Sequence, residues 1–83
     1  MRALFDFDSV VTELGGEREV GRLTGNLSSA VYNWRNKRRL FPAKHYFRLK
    51  EALAEKGFYP ALSLFDFTDA LKAARAAQLR ESA

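Results

Sequence analysis

Val20-Gly21-Arg22-Leu23-Thr24-Gly25-Asn26-Leu27-Ser28-Ser29-Ala30-Val31-Tyr32-Asn33-Trp34 reads as two short helices joined by a glycine-containing turn. Gly21 gives a small surface inside the first of them, and Gly25 gives a turn residue that tolerates positive φ. Ala30, Val31 and Trp34 recur at the spacing of one helical face, which leaves Ser28, Ser29, Tyr32, Asn33 and Asn36 on the other. A small residue, a turn and an anchored second helix are the requirements of a helix-turn-helix.

Charge is concentrated around the same stretch. From Val20 through Lys50, 31 residues pass without an Asp or Glu while eight carry Lys or Arg. Residues 1 to 19 instead hold five acids (Asp6, Asp8, Glu13, Glu17, Glu19) against two bases. The formal charge of +4 therefore understates a local positive field of the kind that meets a polyanion.

Helix signals extend in both directions. Ser9 or Asp8 is placed to cap a first helix over Val10, Val11 and Leu14, which Gly15-Gly16 ends. A second helix spans roughly Glu17 to Thr24, with Val20 and Leu23 or Thr24 inward, and a third opens at Leu27 or Ser28 and runs through Asn36. Pro42 suits the first position of a fourth, running to about Lys56 with Tyr46, Leu49, Ala52 and Leu53 inward. Phe58-Tyr59-Pro60 reads as an extended turn, because Pro60 disfavours helix at Tyr59. Ser63 and Asp66 offer a capping-box-like start to a C-terminal helix over 63 to 80, whose apolar stripe is Leu64, Phe67, Leu71 and Ala74. The expectation is an all-α chain: one domain of residues 1–83, a compact bundle of about five short helices with its core in 9–57.

These residues resemble the Cro and lambda-repressor-like helix-turn-helix proteins, particularly small phage-like bacterial regulators. The resemblance spans roughly Leu14 to Gly57. It rests on Leu14-Gly15-Gly16, Val20 to Gly25, Ser29 to Arg35, and Phe41-Pro42-Ala43 leading into Leu49 to Leu53. It implies double-stranded DNA as partner and a role as transcriptional regulator, a repressor that occludes a promoter. Resemblance and helical spacing together assign base contacts to Ser28, Ser29, Tyr32, Asn33 and Asn36, with Arg18, Lys37, Arg38, Arg39 and Lys44 clamping phosphates. Two departures stand out: Glu17 where the family usually begins its second helix with Gln, and Gly21 where Ala is more usual.

The stripe Phe58, Leu62, Leu64, Phe65 and Phe67 divides between core packing and a homodimer interface, since such proteins commonly bind two half-sites. An alternative function is a protein-interaction adaptor or antirepressor that engages a regulator through this Phe-rich region. His45 has no second His and no Cys beside it, and Ser28 and Ser29 have no nearby base, so the chain reads as neither enzyme nor metalloprotein and calls for no cofactor. No small-molecule effector is evident. With no Cys, no signal-peptide pattern and no long apolar run, it reads as a soluble cytoplasmic protein of the bacterial nucleoid, away from membranes.

Overall fold

The computed structural model describes residues 1–68 and 74–77. The chain is mostly helical, with short parallel strands that the all-α expectation lacked. In order come β1 (Arg2–Leu4), α1 (Phe7–Leu14), α2 (Glu17–Thr24), α3 (Ser28–Lys37), β2 (Phe41–Pro42), a 3-10 turn (Ala43–His45), α4 (Tyr46–Ala54), β3 (Phe58–Pro60), a second 3-10 turn (Leu62–Leu64) and β4 (Phe65–Asp66). β1 lies parallel to β3, with Arg2 opposite Phe58 and Leu4 opposite Pro60. β2 lies parallel to β4, with Phe41 opposite Phe65. Strands of two or three residues cannot display the alternation by which strands are read.

α1 begins two residues before Ser9. Asp6 is its cap: one carboxylate oxygen accepts the Ser9 amide at 2.9 Å and the other accepts the Ser9 hydroxyl at 2.6 Å. Ser9 is thus the partner of the cap, and the earlier start brings Phe7 into the core. α1 stops at Gly15, whose φ of 108° is left-handed and whose amide turns back to Thr12. α2 keeps the expected bounds, and α3 runs one residue beyond Asn36.

Gly21 is the residue that lets α3 begin where it does. A Cβ there would lie 2.7 Å from the Asn26 carbonyl oxygen and 3.2 Å from the Leu27 carbonyl carbon, both backbone atoms. The chain entering α3 therefore crosses α2 at glycine contact distance, closer than an alanine would allow without displacement. The roughly 1 kcal/mol helix penalty of an interior glycine is the cost of that approach.

The fourth helix starts later than its proline. Pro42 has φ −59° and ψ 138°, an extended conformation, because Phe41 is drawn into the core and both residues pair with β4. Helix resumes at Tyr46, after the 3-10 turn, and stops at Ala54 rather than Lys56. Its inward stripe is as expected: Leu49 and Leu53 are fully buried, and Tyr46 and Ala52 pack half-buried against them.

Val10, Val20, Val31, Phe41, Leu49 and Leu53 are the largest fully buried side chains, so α1 to α4 and β2 all contribute to one core. Phe41 is central: its ring stacks on Phe7 at 4.2 Å, meets Trp34 edge-on at 6.3 Å and leans on Phe65 at 5.5 Å. The core thus extends past 9–57 to include Leu4, Phe7, Leu64 and Phe65.

The C-terminal stretch departs most from expectation. Leu62–Leu64 is a 3-10 turn, and Phe65, with φ −119° and ψ 141°, is strand. Asp66 caps by accepting the Thr68 amide at 3.0 Å instead of pairing with Ser63. Thr68 and residues 74–77 are helical, and Ala74 is exposed where the stripe placed it inward. Leu71 and the rest of the expected helix lie outside the described residues.

Candidate nucleic-acid interface

α3 is anchored on one side by Val31, which is fully buried, and by Trp34, which packs half-buried against the core. Ser28, Ser29, Tyr32, Asn33 and Asn36 are all exposed on its other side. These five polar side chains, at i, i+1, i+4, i+5 and i+8, form one continuous stripe with no acid among them.

Arg35 ties this helix down. Its Nη2 lies 2.6 Å from Glu17 Oε1, and its Nε, which is buried, lies 2.9 Å from Asp8 Oδ1. One guanidinium thereby links the first turns of α1 and α2 to the last turn of α3. Glu17, which stands where the family usually has Gln, has its charge matched by Arg35. The pairing was illegible in sequence because Arg35 stands 27 residues from Asp8 and 18 from Glu17, beyond any helical spacing.

The phosphate candidates fall into two groups. Arg18, Lys37 and Lys44 are exposed and have no ion pair among the described residues. Arg38 reaches Asp66 at 3.2 Å and Arg39 approaches Asp8 at 4.0 Å, so acids of other elements share these two charges. Asp66 is held below its ordinary carboxylate value, first by the Thr68 hydrogen bonds and then by the positive charge and hydrogen bond of Arg38. Arg39 has φ 55°, the only positive φ of a non-glycine among the described residues. It follows the last turn of α3, its amide donating to the Trp34 carbonyl at 3.0 Å, in a place where helices usually put glycine.

A groove of about 870 Å³ runs beside the C-terminal end of α3, with Trp34, Pro42 and Phe67 as apolar lining and Lys37, Arg38 and Lys44 supplying cations. His45 lies next to it, its ring 5.6 Å from Trp34 and its Nε2 3.4 Å from the Asn26 amide nitrogen. Burial and then the Lys44 charge hold this imidazole below its ordinary pKa. Among the described residues, no three His, Cys, Asp or Glu side chains gather as a metal site.

No family model, curated protein or solved structure matches this chain.

The five interface candidates of the C-terminal stripe do not form a free surface. Leu64 and Phe65 are 6% and 4% exposed, in contact with the core, and Phe58 and Phe67 pack half-buried against it. Leu62 alone stands out, at 61% exposure. Aromatic packing explains the stripe: Phe65 and Phe67 enclose Tyr46, at 4.9 and 6.2 Å. None of the described helices is long and apolar enough to cross a membrane.

Proposed function

We propose that the protein is a sequence-specific double-stranded DNA-binding regulator in which α2, the turn through Asn26 and α3 act as a helix-turn-helix. The observation that carries this reading is the acid-free polar stripe of α3, continuous with the cations Lys37, Lys44 and Arg38. Amide and hydroxyl groups on one helix face match the donor and acceptor pattern of base edges in a major groove, and cations at its end match the flanking phosphates. Asn33 is suited to a bidentate contact with adenine, and Tyr32 to a thymine methyl or a phosphate. Promoter occlusion by a homodimer on two half-sites about 34 Å apart is the mode of action this reading implies.

The alternative, an adaptor that engages a regulator through the Phe-rich region, has less free apolar surface to use, since Leu64 and Phe65 are buried and Leu62 alone is well exposed. The test is selection of random duplex DNA by the purified protein near physiological salt. A recurring motif is the expected result. Asn33→Ala should then lose about 1–3 kcal/mol of discrimination at one base position, whereas Lys37→Ala should weaken all sequences alike and reduce the salt slope by about one. Enrichment without a motif, or equal losses on selected and random DNA for Asn33→Ala, would remove the base-reading assignment.

A further inference from the structure

Arg2-Ala3-Leu4-Phe5-Asp6 is complementary to itself about Leu4: a base lies two residues before it and an acid two after, a small side chain one before and a large one after. In the fold this segment is β1 and its exit, with Asp6 still extended at φ −131° and ψ 152°. β3 is its one strand partner among the described residues. The Arg2 amide donates to the Gly57 carbonyl at 3.0 Å and the Leu4 carbonyl accepts from the Ala61 amide at 2.9 Å. Residues 2 and 4 therefore address β3, and the N–H and C=O of Ala3 and Phe5 point to the opposite edge.

The side chains alternate as the pleat requires. Leu4 and its partner Pro60 turn inward and are buried, while Phe5 is 74% exposed. Such an edge, with a large apolar side chain beside it, is open to another strand.

We propose that β1 pairs antiparallel with β1 of a second copy, about a two-fold axis at Leu4, making one continuous sheet in the order β3, β1, β1 of the partner, β3 of the partner. In this register each Ala3 faces the other copy's Phe5 in a hydrogen-bonded pair, and the large ring covers the small side chain. Each Arg2 faces the other copy's Asp6. That carboxylate already accepts from Ser9, and each oxygen retains a lone pair for a guanidinium.

The charge pattern is what selects a second copy as the occupant. Two chains of net charge +4 repel, and here each approaching edge carries one base and one acid in reversed order. An isologous contact needs this reciprocity, with residue 2 meeting residue 6 and residue 6 meeting residue 2. The pairing rests on the DNA-binding reading only for its purpose, the placing of two α3 helices on two half-sites.

Sedimentation of the full chain without DNA tests it. The wild type should show concentration-dependent dimerisation. Phe5→Asp and Arg2→Asp should each weaken it by about tenfold or more, with the helical circular dichroism unchanged. Phe47→Asp, a control at a residue 77% exposed on α4, should leave it intact. The chain has no cysteine, so Ala3→Cys and Phe5→Cys report the register cleanly. An oxidised equimolar mixture should give mainly the mixed disulfide, since residues 3 and 5 of opposite copies face each other. A monomer at every concentration, or a dimer broken by Phe47→Asp and untouched by Phe5→Asp, would overturn the proposal. A dimer with the expected variant pattern that selects no DNA would leave the pairing standing and remove the DNA-binding reading alone.

Discussion

The tetrapeptide Leu-Phe-Asp-Phe occurs twice, at residues 4–7 and 64–67, and the two copies meet different fates. Both bury the leucine, at 9% and 6% exposure, and both use the aspartate to accept the amide of a residue entering a helix, Ser9 in one case and Thr68 in the other. They part at the first phenylalanine: Phe5 is 74% exposed and Phe65 is 4% exposed. The reason is the strand partner. Phe65 lies opposite Phe41, the centre of the aromatic core, whereas Phe5 follows a strand whose outer edge has no neighbour among the described residues. Local sequence fixes how the backbone is capped, and tertiary position fixes which side of a short strand is covered.

The largest effect expected from breaking this contrast is at the phenylalanines. Phe65→Ala should lower stability by about 3–5 kcal/mol, and Phe5→Ala, measured in dilute solution, should stay within about 0.5 kcal/mol of the wild type. Urea unfolding followed by tryptophan fluorescence measures both, since Trp34 packs against the core. Equal losses would mean that Phe5 is covered within the monomer.

The leucines should behave alike. Leu4→Ala and Leu64→Ala are each expected to cost about 2–5 kcal/mol, with the difference between them smaller than either loss. A mild effect at Leu4 alone would show that β1 is a loosely held addition to the fold.

At the aspartates, the copies should separate again in binding. Asp66→Asn releases Arg38 and should raise DNA affinity by up to about fivefold at low salt, an advantage that fades as salt screens it. Asp6→Asn instead removes the carboxylate proposed to face Arg2 of a second copy, and should lower affinity through weaker dimerisation. Fluorescence anisotropy with one duplex across a salt series distinguishes them, and a gain for Asp6→Asn would contradict the role given to Asp66.

The smallest effect concerns acid. Hydrogen bonds from Ser9 and from Thr68 hold Asp6 and Asp66 below the ordinary carboxylate value, and Arg22 does the same for Glu19. Depressed carboxylates stabilise the fold at pH above their unfolded pKa, and that contribution disappears as pH falls through their folded values, below about 4. Thermal melts of Asp6→Asn combined with Asp66→Asn should show a flatter acid limb than the wild type, with Glu19 supplying what remains.

Much of the helical frame was legible because amphipathic spacing and glycine stops are local. The bounds of α2 match Glu17–Thr24, and the inward stripe of α4 was readable from Leu49 and Leu53. The exposed stripe of α3 followed from Val31 and Trp34 fixing the opposite face. What escaped depends on partners far along the chain. β1 is strand because β3 lies 56 residues away, Pro42 is extended because Phe41 pairs with Phe65, and Phe65 is core for the same reason. The ion pairs that qualify the interface, Arg35 with Asp8 and Glu17 and Arg38 with Asp66, likewise join elements that no sequence window spans.

Arg39, with its left-handed backbone, sits where a glycine would be easier to hold. Putting glycine there removes a Cβ penalty of roughly 1–2 kcal/mol and at the same time deletes a cation beside α3. On the proposed DNA-binding reading, a library of variants sorted for heat resistance alone would be drawn to this position, and its winners would be sturdier proteins with a weaker hold on DNA phosphates, durability set against grip at a single residue.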